Sequence, residues 1–327
     1  SGLTNTYVFS LAINTNGTIF AGTGSGGVFS SSNNGASWTQ IGLANNTYVN
    51  SLAINANGTI FAGTNGGLFS SSNNGSSWTA VNSGLTNNIF VASLAINANG
   101  TIFAGTLGGG VFSSSNNGAS WTKVNSGLTN TDVWSLAINS NGVLIAGTEG
   151  GGVFTSSNNG TLWTETGLMN IKVESLAINL SGVLFAGTRG GGVYTSSNNG
   201  ASWAQVNTGL MNTIVRSMTI NQGGTLFAGT EGGGVYSSFN NGTSWTQVNT
   251  GLSNTTVFSL AINSNGVLFA GTDGGGVYSS FNNGASWTQV NTGLMNPYIL
   301  SLAINSSGIL FAGTYGGVYT SSNNGSS

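Results

Sequence analysis

The chain has 327 residues, only 3% of them charged, with 55 glycines, a net charge of −2 and neither Cys nor His. Four cations cannot neutralise a run of phosphates, so nucleic acid is excluded as a partner, and the missing Cys and His exclude disulfides, thiol chemistry, the usual zinc sites and histidine acid/base work. Gly, Asn and Ser interrupt every apolar run well short of the roughly 18 residues of a spanning helix, so no membrane insertion is expected.

The first predicted element is an apolar strand over 8–13, and its core phrase SLAIN sets the organisation of the whole chain. It begins at Ser10, Ser51, Ser93, Ser135, Ser175, Ser259 and Ser301, and Ser217 opens the variant SMTIN, so eight units follow at intervals of 40 to 42 residues. That period belongs to a four-stranded propeller blade. Within the first unit, Asn16 and Gly17 predict a two-residue hairpin with positive φ at both positions. A second strand over 18–23 follows, then a Gly-rich turn, a third strand over 28–31 and the phrase SSNNGASW. The fourth strand begins at the Trp of that phrase, as in 121–125 of the third unit. The strands are apolar on both faces: Leu11 and Ile13 oppose Ala12, and Ile19 and Ala21 oppose Phe20. One blade alone cannot bury both faces, so stability must come from neighbours. The expected fold is all-β: an eight-bladed propeller of four-stranded antiparallel blades, forming a single unit over 1–327.

The phrase SSNNGASW at 31–38 returns as SSNNGSSW at 71–78, SSNNGASW ending at Trp121 and Trp203, SSNNGTLW ending at Trp163, SFNNGTSW ending at Trp245 and SFNNGASW ending at Trp287. This recurring phrase resembles the Asp-box, or bacterial neuraminidase repeat, with pattern SxDxGxTW, and the longer phrases are similar to those of bacterial extracellular propellers and periplasmic sensor regions. Where the family has Asp this chain has Asn33, Asn73, Asn116, Asn158, Asn198, Asn240, Asn282 and Asn323. The resemblance implies a structural hairpin with its Trp (Trp38, Trp78, Trp121, Trp163, Trp203, Trp245, Trp287) packed between blades. An amide oxygen accepts the same backbone hydrogen bonds as a carboxylate but is a weak ion ligand, so no metal is expected.

Sialidases that carry such boxes use three arginines, a tyrosine paired with a glutamate, and an aspartic acid. Two arginines occur here, and none of those catalytic residues falls on a matching position. The six acidic residues are mostly spread over different units, with Asp132 and Glu149, or Glu174 and a neighbour, as the weak candidates for a paired-carboxylate hydrolase. The run 229–234 is Gly-rich like a dinucleotide loop, yet leads into a strand rather than a helix, so no cofactor is expected. The chain reads as a non-enzyme.

The units disagree at three columns. After AGT stand Gly24, Asn65, Leu107, Glu149, Arg189, Glu231, Asp273 and Tyr315. The first strand is approached through Tyr7 and Phe9, Tyr48 and Asn50, Phe90 and Ala92, Asp132 and Trp134, Lys172 and Glu174, Ile214 and Arg216, Thr256 and Phe258, and Tyr298 and Leu300. Eight of the ten charged residues lie in these columns, so variation concentrates on one face of the ring. Free drift of loop positions is one account of this. The other is a recognition surface for a protein or glycan, made by the aromatics Tyr7, Phe9, Tyr48, Phe90, Trp134, Tyr298 and Tyr315 together with those charges.

The first three strands occur eight times and the fourth seven, so the last blade lacks its outer strand. Either residues after Ser327 supply it, which is the favoured expectation, or its open edge invites strand-mediated self-association. The expected function is a binding or scaffolding module, extracellular or on the cell surface, with the periplasm as the alternative. A carbohydrate-binding lectin comes second, a sensor region third and a glycoside hydrolase last.

Overall fold

In the computed structural model the described residues are 2–3, 7–43, 47–86, 89–139, 141–166, 168, 171–305 and 307–327. Among them the chain forms 31 strands, numbered β1 to β31 in chain order, grouped into eight antiparallel meanders. Blade one contains β1 (Val8–Ile13), β2 (Ile19–Thr23), β3 (Val28–Ser31) and β4 (Thr39–Gln40), hydrogen-bonded in that order. Six more four-stranded blades follow, and the eighth holds only β29 (Ile299–Ile304), β30 (Leu310–Thr314) and β31 (Gly317–Ser321). The expected eight-bladed propeller with a three-stranded last blade is the observed architecture.

The blades touch face to face, as their two-sided apolar pattern requires. The second strand is buried at every position in all eight blades, save the half-buried Leu107 that ends β10 (Ile102–Leu107). Phe20 and Val28 of the first blade share a core with Val49, Leu52, Ile60 and Ala62 of the second. The glycine of each AGT phrase admits the next blade: a Cβ on Gly22 would lie 2.6 Å from the Val49 side chain, and one on Gly229 2.7 Å from Val257. The last of these, Gly313, faces Val8, and Ile309 and Phe311 pack with Val8, Ile19 and Trp38, so the eighth blade closes on the first.

The Asn-Gly turn differs from the sequence expectation. Gly17 has φ of 80° but Asn16 is absent from the left-handed region, because the loop is longer than two residues. Ile13 pairs with Ile19, the Asn14 carbonyl accepts from Gly17 N–H at 3.0 Å, and the Asn14 side-chain oxygen accepts from Asn16 N–H at 3.1 Å and Thr18 N–H at 2.9 Å. The result is a turn closed by Asn14 that needs only one glycine after it. Asn55, Asn97, Asn139 and Asn263 cap their loops in the same way.

The box asparagines sit as the turn chemistry anticipates. Asn116 Oδ1 accepts from Ser120 N–H at 3.0 Å and from the Ser114 hydroxyl at 2.9 Å, and its amide donates to Ser120 Oγ at 2.9 Å. The residue after it, Asn117, takes the left-handed conformation, as do Asn34, Asn74, Asn159, Asn199, Asn241, Asn283 and Asn324. Five box tryptophans (Trp38, Trp121, Trp163, Trp245 and Trp287) are buried, whereas Trp78 and Trp203 are half-buried. The difference follows the connectors. Trp121 is covered after the full phrase Val81-Asn82-Ser83-Gly84-Leu85, with Ser83 O accepting its backbone N–H at 2.8 Å. Ahead of Trp78 the phrase is only Ile41-Gly42-Leu43, and ahead of Trp203 only residues 166–168, both lacking the Asn-Ser pair.

Candidate functional site

Every first strand breaks register at one residue. Val8 pairs with Thr23 and Ser10 with Gly22, leaving Phe9 as a bulge, and the same shift occurs in all eight blades. A bulge removes one residue from the ladder and re-aims its side chain. The bulged positions are Phe9, Asn50, Ala92, Trp134, Glu174, Arg216, Phe258 and Leu300, seven residue types at eight places on one repeated backbone. The residue after AGT meets the approach to the next blade through isolated bridges, Arg189 to Ile214, Glu231 to Thr256 and Asp273 to Tyr298. Backbone bonding thus holds this rim while the side chains stay free to differ.

The side chains divide the rim into two arcs. On the aromatic arc, Tyr315 meets Tyr7 edge-on at 5.1 Å between centroids and lies 5.7 Å from Tyr298, joining the last blade to the first. All three are exposed, as are Phe9 and Tyr48. Phe90 stands 6.2 Å from Trp134, and Phe9, Asn50, Phe90, Ala92 and Trp134 line one hollow of about 370 Å³. The other arc begins at the same Trp134, whose indole N–H donates to Glu149 Oε2 at 2.5 Å while Lys172 Nζ stands 4.5 Å from the ring centroid.

Glu174 is the hub of the charged arc. Arg216 Nη1 lies 3.5 Å from its Oε2, while Arg189 and Lys172 approach its Oε1 at 3.9 and 4.0 Å. Those two approaches are ion pairs by distance only, because the buried Oε1 has no hydrogen-bond partner. Arg216 also binds Glu231, its Nε donating to Oε2 at 2.8 Å with Nη2 on the same oxygen, and its guanidinium stands 5.7 Å from the Phe258 ring. One guanidinium therefore spans two carboxylates on neighbouring blades. Asp132 is occupied differently: its Oδ1 accepts from Gly108 N–H at 2.7 Å and pins the turn of the preceding blade. Tyr48 and Asp273 enter neither arc's side-chain contacts.

Three features of the surface went unread in the sequence. The bulge is the first. The second is a pair of methionines, Met211 and Met295, 91% and 89% exposed, in connectors that read GLMN, a spelling shared with 167–170, where other units read GLTN, GLAN or GLSN. Asn212, beside Met211, donates to the Glu231 carbonyl at 2.8 Å, which places that methionine at the variable rim. The third is Phe239 and Phe281, exposed in the boxes spelled SFNNG, where other boxes have Ser. Among the described residues no three acidic, His or Cys side chains are grouped to hold a metal.

Comparison with known proteins adds the following. The family model of the DUF6242 beta propeller domain matches residues 77–213, less than half of the chain. No curated protein matches in sequence. Among solved structures the chain is similar to the Dos1 propeller (12% identity, TM-score 0.76, covering 98% of this chain and 92% of that one). It is also similar to the computationally designed Ika8 protein (13% identity, TM-score 0.71, covering 97% and 96%). PorZ, a surface component of the type-IX secretion system of Porphyromonas gingivalis, matches at 18% identity and TM-score 0.66 over 96% of this chain, which spans 52% of PorZ. At such identities the likeness carries the fold alone. The chain is a β-propeller repeat protein of eight blades.

Proposed function

We propose that the chain is a non-catalytic binding module that recognises its ligand through the variable rim, and that it works outside the cell or at the cell surface, with the periplasm as the alternative. The observation that carries this reading is the ring of bulges: eight equivalent backbones present Phe, Asn, Ala, Trp, Glu, Arg, Phe and Leu in turn. A scaffold that repeats its backbone and varies its side chains at one rim suits recognition. Against catalysis stands the engagement of the carboxylates. Glu174 and Glu231 share Arg216, Glu149 holds the Trp134 indole and Asp132 holds a turn, which leaves no carboxylate pair open to a glycosidic bond. Location outside the cytoplasm rests on the resemblance to extracellular repeats.

A carbohydrate ligand is the second reading, favoured by Trp134. Its ring borders the 370 Å³ hollow beside an acidic acceptor and two further aromatics, a combination that gives stacking planes and a hydroxyl partner in one place. Screening the chain against glycan and peptide arrays tests both readings. Binding found for the wild type should be lost in Trp134→Ala/Tyr298→Ala/Tyr315→Ala while the unfolding transition is retained. Full binding by that triple variant would refute recognition through this rim, and release of reducing sugar from a bound glycan would refute the non-catalytic assignment.

A further inference from the structure

On the charged arc two rings each meet a cation that a carboxylate holds in turn. Lys172 Nζ stands 4.5 Å from the Trp134 centroid and 4.0 Å from Glu174 Oε1. Arg216 stands 5.7 Å from the Phe258 ring, and its Nε donates to Glu231 Oε2 at 2.8 Å. The negative face of a ring attracts a cation, and a carboxylate beside it adds to the attraction. With Arg189 on Glu174, this arc takes up three of the chain's four cations, and the fourth, Lys123, lies in an outer strand.

Between the seventh and eighth blades the rings and the carboxylate recur without the cation. Asp273 and Tyr298 are bridge partners across that junction, so their side chains leave the backbone on one face with Cβ atoms about 5 Å apart. The Tyr298 ring lies along the turn after Asp273, since a Cβ on Gly274 would stand 3.3 Å from its Cε1. Tyr315 lies 5.7 Å from Tyr298 at an interplanar angle of 44°, and the two rings are 41% and 44% exposed. The backbone beneath them is fixed: Asn254 Nδ2 donates to the Asp273 carbonyl at 2.7 Å, Asp273 N–H to Thr256 O at 3.0 Å and Tyr298 N–H to Asn296 Oδ1 at 3.1 Å. Asp132, Glu149, Glu174 and Glu231 each accept a hydrogen bond on the side chain. Among the described residues nothing pairs with the exposed Asp273 carboxylate, and no Lys or Arg stands over Tyr298 or Tyr315.

We propose that Tyr298, Tyr315 and Asp273 form a binding site for an alkylammonium cation, which the ligand brings where Lys172 and Arg216 serve elsewhere on the rim. The carbon groups around the nitrogen would lie on the tyrosine faces and the charge beside the Asp273 carboxylate. This rests on the recognition proposed for the rim and gives one part of it a ligand chemistry, on residues separate from the Trp134 hollow.

The test follows the tyrosine ring ¹H–¹³C resonances of the 327-residue chain, assigned by Tyr→Phe substitution. Three probes are titrated: choline, dimethylbutanol as its uncharged isostere with carbon in place of nitrogen, and the capped peptide acetyl-Gly-Lys-Gly-amide. The expected result is saturable millimolar binding of a cationic probe that moves the Tyr298 and Tyr315 signals, with the isostere at least tenfold weaker. Asp273→Asn and Tyr315→Leu should each weaken binding several-fold and leave the unfolding transition in place. Tighter binding of choline assigns the site to a free quaternary amine, and tighter binding of the peptide to a lysine of a partner polypeptide. Equal binding of the isostere, full binding by Asp273→Asn, or no movement of the two signals with either cation would overturn the proposal. An array ligand bound through Trp134 while both cations leave Tyr298 and Tyr315 unmoved would overturn this site alone and leave recognition by the rim standing.

Discussion

The two rims of this ring are built from the same repeat and put it to opposite uses. On the box rim, side chains do the holding: Asn33, Asn73, Asn116 and their counterparts close the hairpin through Oδ1, and the tryptophan that follows is wedged against the blade before it. On the bulged rim, backbone does the holding: Asp273 N–H binds Thr256 O and Glu231 N–H binds Ile214 O, both at 3.0 Å, whatever side chains those residues carry. The contrast explains why one rim is monotonous and the other diverse. Where a side chain closes the structure it cannot change, and where the main chain closes it the side chain is released for contact with something else.

Substitutions at four positions would break or sharpen that contrast. Trp163→Ala removes an indole only 2% exposed between the third and fourth blades, and should cost about 3–5 kcal/mol, read as a fall in denaturant midpoint. Gly127→Ala should cost about 2 kcal/mol, because Gly127 has φ of 82° and an added Cβ would lie 2.1 Å from the Trp163 carbonyl oxygen. Asn116→Ala should lose about 1–2 kcal/mol by orphaning Ser120 N–H, and Asn116→Asp should recover most of it by restoring the acceptor, as comparison of the two melting curves would show. On the other rim Arg216→Ala should cost less than about 1 kcal/mol despite its three acidic and aromatic contacts. Its pairs are partly exposed, and raising the salt concentration should shrink the difference further.

Much of the ring is legible in the sequence because the SLAIN phrase recurs every 40 to 42 residues, with a box at a fixed place in each unit. The three-stranded last blade is legible too, as a count of boxes against tryptophans. The bulge is not, since Val8 and Ser10 both pair with the second strand and the skipped residue shows only in the register between Thr23 and Gly22. Nor is the form of the Asn-Gly turn, because Asn14, two residues before Asn16, closes the loop with its side chain. The candidate site was legible as columns but not as contacts. Glu174 and Arg216 lie 42 residues apart, and only the angle between successive blades brings them to 3.5 Å and lets Arg216 reach Glu231 as well.

Box tryptophans hold the blades together, whereas Trp134, on the rim proposed for recognition, has no such role. Native-state hydrogen exchange at the indole N–H groups, with Trp134 assigned through Trp134→Phe, tests it most directly. The predicted result is that Trp121, Trp163, Trp245 and Trp287 exchange only on global unfolding, while Trp134 exchanges through small local motions of the Glu149 side chain. Fast exchange at those four box indoles, or a Trp134 indole protected as strongly as they are, would contradict the account.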